Sequence, residues 1–182
     1  MTDQSRQPEA GQAFDYSQLS VRSFMPDDQS AVMRLYNDGL LAGQIAPNDT
    51  GADLDHVAEA YFDEPRHHFW VAQVAEHIVG MIGVGSDEEH TAEVRRLRVD
   101  PAHQDGPVAE HLLDSALNHC KNNGYLKIRL DTRYEKTAAL GHFDRIGFQH
   151  TRTRTAPGKE VLEFYLDLYR QHEDQPDGTA AS

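Results

Sequence analysis

Leu97-Arg98-Val99-Asp100-Pro101-Ala102-His103-Gln104-Asp105-Gly106-Pro107-Val108-Ala109 is the stretch on which the reading of this fold turns. A strand runs into a short turn, and a helix begins at its far end. Val108, Leu112, Leu113, Ala116, Leu117 and Cys120 keep helical spacing until Asn123-Gly124 ends the helix. A helix start of this kind points its first backbone N–H groups at whatever lies before it, and an anion is the favoured occupant. Gln104, Asp105, Gly106, Val108 and Ala109 each carry such an N–H, whereas Pro107 carries none.

Upstream, the strand over residues 92–99 changes phase. Ala92 and Val94 put apolar groups on even positions, and Leu97 and Val99 put them on odd ones. One extra residue near Arg95-Arg96, a β-bulge, restores a single apolar face. A strand buried on both faces is the other reading.

Working outward, residues 20–24 alternate as a first strand, and Pro26 with Asp27-Asp28 opens a helix carrying Val32, Leu35, Leu40 and Leu41. After a loop with Pro47-Asn48-Asp49, Asp53 is placed to cap a second helix that runs through Tyr61. Residues 69–74 and 78–84 read as a hairpin turned at Glu76-His77. Leu126, Ile128 and Leu130 alternate as a further strand, and a last helix spans about residues 136–146 and stops at Gly147. Leu162, Phe164, Leu166 and Leu168 alternate in the closing strand or hairpin. Strands interleaved with helices predict an α/β (mixed α+β) chain with a central mixed sheet and helices on both faces.

Residues 1–17 and 171–182 are polar and read as disordered tails around one domain at 18–170. The chain has 182 residues and a net charge of −13, which opposes approach to nucleic acid or to an anionic membrane. The same charge suits a cationic small molecule, or serves solubility alone. Cys120 is the only cysteine, so no intrachain disulfide can form. With neither a membrane-length apolar run nor a signal pattern, a cytoplasmic location is expected. The eleven histidines show no metal-binding spacing, so no metal is expected.

Residues 104–109 resemble the acyl-CoA-binding segment of the GNAT superfamily of N-acetyltransferases, Q/R-x-x-G-x-G/A. Gln104 fills its first position and Ala109 its last, with Pro107 where the middle glycine belongs. The order of elements over residues 19–168 is similar to that fold as well. Ala139, Phe143 and Gly147-Phe148 match a late-helix pattern A-x-x-x-Y-x-x-x-G-F, with phenylalanine for tyrosine. Glu93 lies eleven positions before Gln104, as in members that use a glutamate of the fourth strand as general base.

The resemblance implies a sheet splayed at the acyl-CoA site and an acetyl transfer from acetyl-CoA, as cosubstrate, to a primary amine of a small molecule or peptide. It implies that the backbone of Leu97 and Val99 and the N–H groups of Gln104, Asp105, Gly106, Val108 and Ala109 hold the cofactor. Glu93 is the implied base. Phe143 cannot donate a proton to the departing thiolate, and Tyr134 is a conceivable replacement. The acceptor pocket is expected between the first two helices, particularly residues 40–53, and the loops following the later strands, with Asp49 and Asp53 as contacts for a cationic acceptor. Asp105 also stands where it can cap the helix end that a phosphate would use. A catalytically degenerate module of the same fold, used for binding or regulation, is the alternative. The acceptor and the oligomeric state, a homodimer included, are left open.

Overall fold

In the computed structural model, residues 14–38, 50–133, 137–156 and 159–169 are described. Seven strands form one sheet in the order β1-β2-β3-β4-β5-β7-β6. They are β1 (Leu19–Ser23), β2 (His68–Val74), β3 (His77–Glu88), β4 (Thr91–Val99), β5 (Lys127–Arg133), β6 (Gln149–Ala156) and β7 (Lys159–Asp167). All neighbouring pairs are antiparallel except β4 and β5, which run parallel because α4 (Val108–Asn122) crosses between them. The other helices are α1 (Gln29–Asp38), α2 (Ala52–Asp55), α3 (Val57–Phe62) and α5 (Thr137–Ile146).

Alternation along the strands divides the apolar side chains between two cores. Phe69, Val71 and Met81 face α1, α2 and α3, where they meet Val32, Leu35, Leu54 and Tyr61. Trp70, Ala72, Ile82, Val84, Ile128 and Leu130 face the other way, against Leu112, Leu113 and Ala116 of α4 and Phe143 of α5. Both faces of β2 and β3 are therefore buried, which explains why these strands read as nearly continuous apolar runs. Cys120 is fully buried on α4, and burial pushes its thiol pKa up to about 12.

The mixed sheet with helices on both faces is as expected, and so is the bulge in β4. Met81 pairs with Arg98 and Gly83 with Arg95, two steps on β3 against three on β4. Arg96 takes up the extra residue at φ 57°. Both of the phase-shifted sets, Ala92 and Val94, then Leu97 and Val99, are buried.

Other boundaries shift. The first helix is preceded by a 3-10 turn at Pro26–Asp28, whose Asp28 carboxylate accepts from the Met25 N–H and from Arg22. Its expected members Leu40 and Leu41 lie outside the described residues. Gly51, not Asp53, stands at the start of α2. Leu126 lies just ahead of β5 and is exposed, although it keeps the phase of Ile128 and Leu130. The chain after Gly147 forms two strands, β6 and β7. Residues 14–17, assigned to the N-terminal tail from sequence, begin the described structure, and Tyr16–Gln18 forms a 3-10 turn capped by Asp15.

Candidate active site

The parallel pairing of β4 with β5 ends at Val94 and Leu130. Past that point β5 continues beside β7 as far as Arg133, while β4 continues beside β3 through the bulge to Val99. The two strands therefore part, and a cavity of about 430 Å³ opens at the fork. Glu93, Arg95, Arg96, Arg98, Asp131, Asp53 and Phe143 are among the residues that line it. Leu97 and Val99, the expected backbone contacts for the pantetheine arm of acyl-CoA, lie on the β4 edge that has no β5 partner. That is the geometry a strand-like ligand arm needs.

Glu93 projects to the open face of the sheet beside its β5 neighbour Arg129. Both oxygens are engaged. Oε1 accepts from Arg129 Nη2 at 3.1 Å, and Oε2 accepts from Arg95. Asp53 is also occupied, by Arg96 through Nε and Nη2 and by the Tyr61 hydroxyl at 2.6 Å. Burial alone would raise the Asp53 carboxyl, but Arg96 and Tyr61 overcome it and hold the group below its usual value. Asp53 is thus a structural anchor of the bulge residue Arg96, and it lines the cavity as well. Asp49 and most of the expected acceptor segment, residues 40–49, lie outside the described residues, as does Tyr134.

Phe143 is buried against Phe148 and Phe164, with ring centroids 5.9 and 5.3 Å away. At the β4–α4 turn, Pro107 stands immediately before the first helical residue, and no side chain caps the helix. The expected cap by Asp105 is absent. The amides of Val108 and Ala109 belong to the first turn and have no partner within the helix. The Gly106 N–H donates to His103 O at 3.1 Å, so it is spent inside the turn.

Sequence reading missed what covers this turn. His103 is buried, and the Tyr16 hydroxyl and His103 Nδ1 share a hydrogen bond of 3.2 Å while Phe14 stacks on the imidazole at 4.0 Å. A Cβ on Gly106 would stand 2.3 Å from the Tyr16 hydroxyl oxygen. The requirement at Gly106 is therefore space. Gly106→Ala is expected to lower the thermal midpoint by several degrees, equivalent to about 1–3 kcal/mol of overpacking. Adding Tyr16→Ala should recover part of that loss; a double variant no more stable than Gly106→Ala would show that the clash lies elsewhere.

Among the described residues, no group of three or more His, Cys, Asp or Glu could hold a metal ion, and no helix is long and apolar enough to cross a membrane.

Residues 30–148 match the model of the acetyltransferase (GNAT) family. The chain is similar to human N-acetyltransferase 8B, 29% identical over 104 residues, covering 54% of this chain and 46% of that protein. It is also similar to N-acetylaspartate synthetase of Xenopus tropicalis, 30% identical over 99 residues, covering 54% and 36%. It thus spans less than half the length of either of these curated relatives. Among solved structures, an N-acetyltransferase of Staphylococcus aureus Mu50 superposes with a TM-score of 0.71 at 19% identity, covering 84% of this chain and 99% of that one. An acetyltransferase of Salmonella typhimurium solved with acetyl-CoA gives 0.70 at 19% identity, covering 91% and 98%. With a family model matched over more than half its length and a sheet that forks between its parallel strands, the chain belongs to the GNAT acetyltransferase family.

Proposed function

We propose that this chain transfers an acetyl group from acetyl-CoA to a primary amine of a small molecule or peptide, in the cytoplasm. The observation that carries the reading is the fork after Val94 and Leu130, where β4 loses its β5 partner beside a cavity lined by three carboxylates and three arginines, one of which, Arg98, holds Leu97 O. Acetyl-CoA fits the residues present: a strand edge at Leu97 and Val99 for its arm, and uncapped amides at Val108 and Ala109 for its pyrophosphate. Gln104 and Asp105 lie in the turn that leads there, whereas Gly106 gives its N–H to His103 O and lies against the Tyr16 hydroxyl. Tyr134 is the donor to the departing thiolate in this reading. The names of the relatives support an amine acceptor, and that of N-acetylaspartate synthetase supports an amino acid in particular.

Glu93 belongs on the reacting side of the fork. Because both of its oxygens are held by guanidinium groups, Glu93 serves as base only through a water or after one arginine lets go. Calorimetric titration with acetyl-CoA, followed by thiol release in the presence of primary amines, tests the reading. Binding without acetylation of any amine would favour the alternative, a GNAT module that binds without turnover. Phe143 and Pro107 speak for that alternative, since neither supplies the donor expected at its position.

The turn provides a second test. Pro107→Gly restores an N–H, and an added Asp105→Gly removes a carboxylate from the phosphate's surroundings. A hydrogen bond to a charged group is worth about 1.5–3 kcal/mol, so the double variant should bind acetyl-CoA roughly ten- to a hundredfold more tightly. Unchanged affinity would exclude this turn from cofactor binding.

A further inference from the structure

Asp131 was not singled out by its sequence context, yet it holds a particular place in the fork. It is the first β5 residue past the last β4–β5 pair, so it sits where the strands part and lines the cavity there. The three carboxylates of the cavity differ in what they already hold. Glu93 accepts from Arg95 and Arg129, one on each oxygen. Asp53 accepts from Arg96 and Tyr61. Asp131 accepts from Arg154 Nη2 on Oδ2 at 2.9 Å, and its Oδ1, which is buried, accepts from nothing.

We infer that Asp131 is the group that binds the acceptor's ammonium and takes its proton. A buried carboxylate oxygen without a donor is a costly arrangement, and an incoming N–H removes that cost. The inference rests on the acetyltransferase reading and assigns the base within it. The ammonium R–NH3+ gives one proton to the Asp131 carboxylate and becomes R–NH2. The nitrogen lone pair attacks the thioester carbonyl carbon; the C–S bond breaks, and its electron pair leaves on sulfur. The second N–H proton passes to that thiolate, and Asp131 later returns its own proton to solvent. The net products are the amide, CoA thiol and one proton.

The electrostatics fit this role. Burial raises the Asp131 carboxyl above its usual value, Arg129 and Arg154 draw it down, and Glu163 and Glu93 raise it again. These four groups come from β5, β6, β7 and β4, the strands around it. A base with a raised pKa loses activity as pH falls through that value, so the acid limb of kcat/KM should lie at higher pH than for an unperturbed aspartate.

Asp131→Asn keeps the shape but cannot take a proton. Thiol release from acetyl-CoA with glycine, L-aspartate and ethanolamine as acceptors should fall by about a hundredfold or more at neutral pH. It should recover as pH rises, with calorimetric affinity for acetyl-CoA unchanged. Glu93→Gln should show a smaller loss and no such recovery. Full activity in Asp131→Asn, or the pH-rescued loss appearing in Glu93→Gln instead, would overturn the assignment. Carbon-13 NMR of the unaltered protein reads the site without turnover, by following the Asp131 carboxyl signal during titration with ethanolamine. A displaced signal supports the inference even where no acceptor is acetylated, an outcome that defeats only the acetyltransferase reading. A signal that ethanolamine leaves in place overturns the Asp131 assignment itself.

Discussion

Asp53→Ala is expected to lower the unfolding free energy by about 2–4 kcal/mol, because it strips a mostly buried guanidinium of its carboxylate. The Arg96 and Asp53 side chains are only 16% and 23% exposed, so water restores little of what is lost. The Tyr61 hydroxyl loses its acceptor in the same step. The position of Arg96 adds to the effect: its backbone adopts φ 57° at the bulge, a conformation that side chains other than glycine hold only when their surroundings enforce it. Denaturant unfolding should show a lower midpoint with an unchanged slope. The pH dependence has a definite sign. The Asp53 carboxyl is held below its usual value, so its contribution is complete above about pH 4, the unfolded value, and is lost as pH falls through the folded one. The variant should therefore lose less stability on acidification than its parent. Equal losses from pH 7 to pH 3 would show that the pair contributes nothing measurable.

Leu112→Ala should cost about 3 kcal/mol or more, as a fully buried leucine whose removal leaves a cavity under α4. Its neighbour across the gap is a glycine. A Cβ on Gly80 would stand 2.9 Å from Leu112 Cδ1 and 2.8 Å from Val108 Cγ1, so α4 lies directly on the backbone of β3. Gly80→Ala alone should therefore destabilise by overpacking. The two changes compensate, one vacating the space the other needs, and the double variant should lose less than the sum of the singles. Strict additivity in unfolding measurements would mean that the helix moves as a body and the two positions do not share a space.

The bulge was legible in the sequence because a bulge alters periodicity, and periodicity survives in a single chain. The change of phase between Val94 and Leu97 places it within a residue or two. The helix ends at Gly124 and Gly147 were legible for a related reason: both residues take positive φ, which glycine adopts readily. Ion pairing left no comparable trace. Arg96 meets Asp53 across 43 positions, strand against helix, and Arg154 meets Asp131 across 23, strand against strand, and no local pattern encodes either meeting. The basic strip Arg152 and Arg154 reads as the charged outer side of an edge strand, yet both guanidiniums reach the buried Glu163. Of the catalytic candidates, Glu93 was expected on the fourth strand from the resemblance, with Arg95 beside it, whereas Arg129, which reaches its other oxygen across the parallel register, left no trace in the sequence. Tyr16 lay in a polar segment with nothing to mark it, because its role depends on the empty space at Gly106 rather than on its neighbours in sequence.

The state of Cys120 has a practical consequence for any assay that tests for CoA release. Burial pushes its pKa up and encloses its side chain, so the Cys120 thiolate is far scarcer at pH 8 than that of an exposed cysteine. A chromogenic thiol reagent added to follow CoA release thus meets no competing signal from the native protein. A cysteine introduced on the surface could likewise carry a fluorophore or spin label without first removing the natural one, leaving α4 packed as it is.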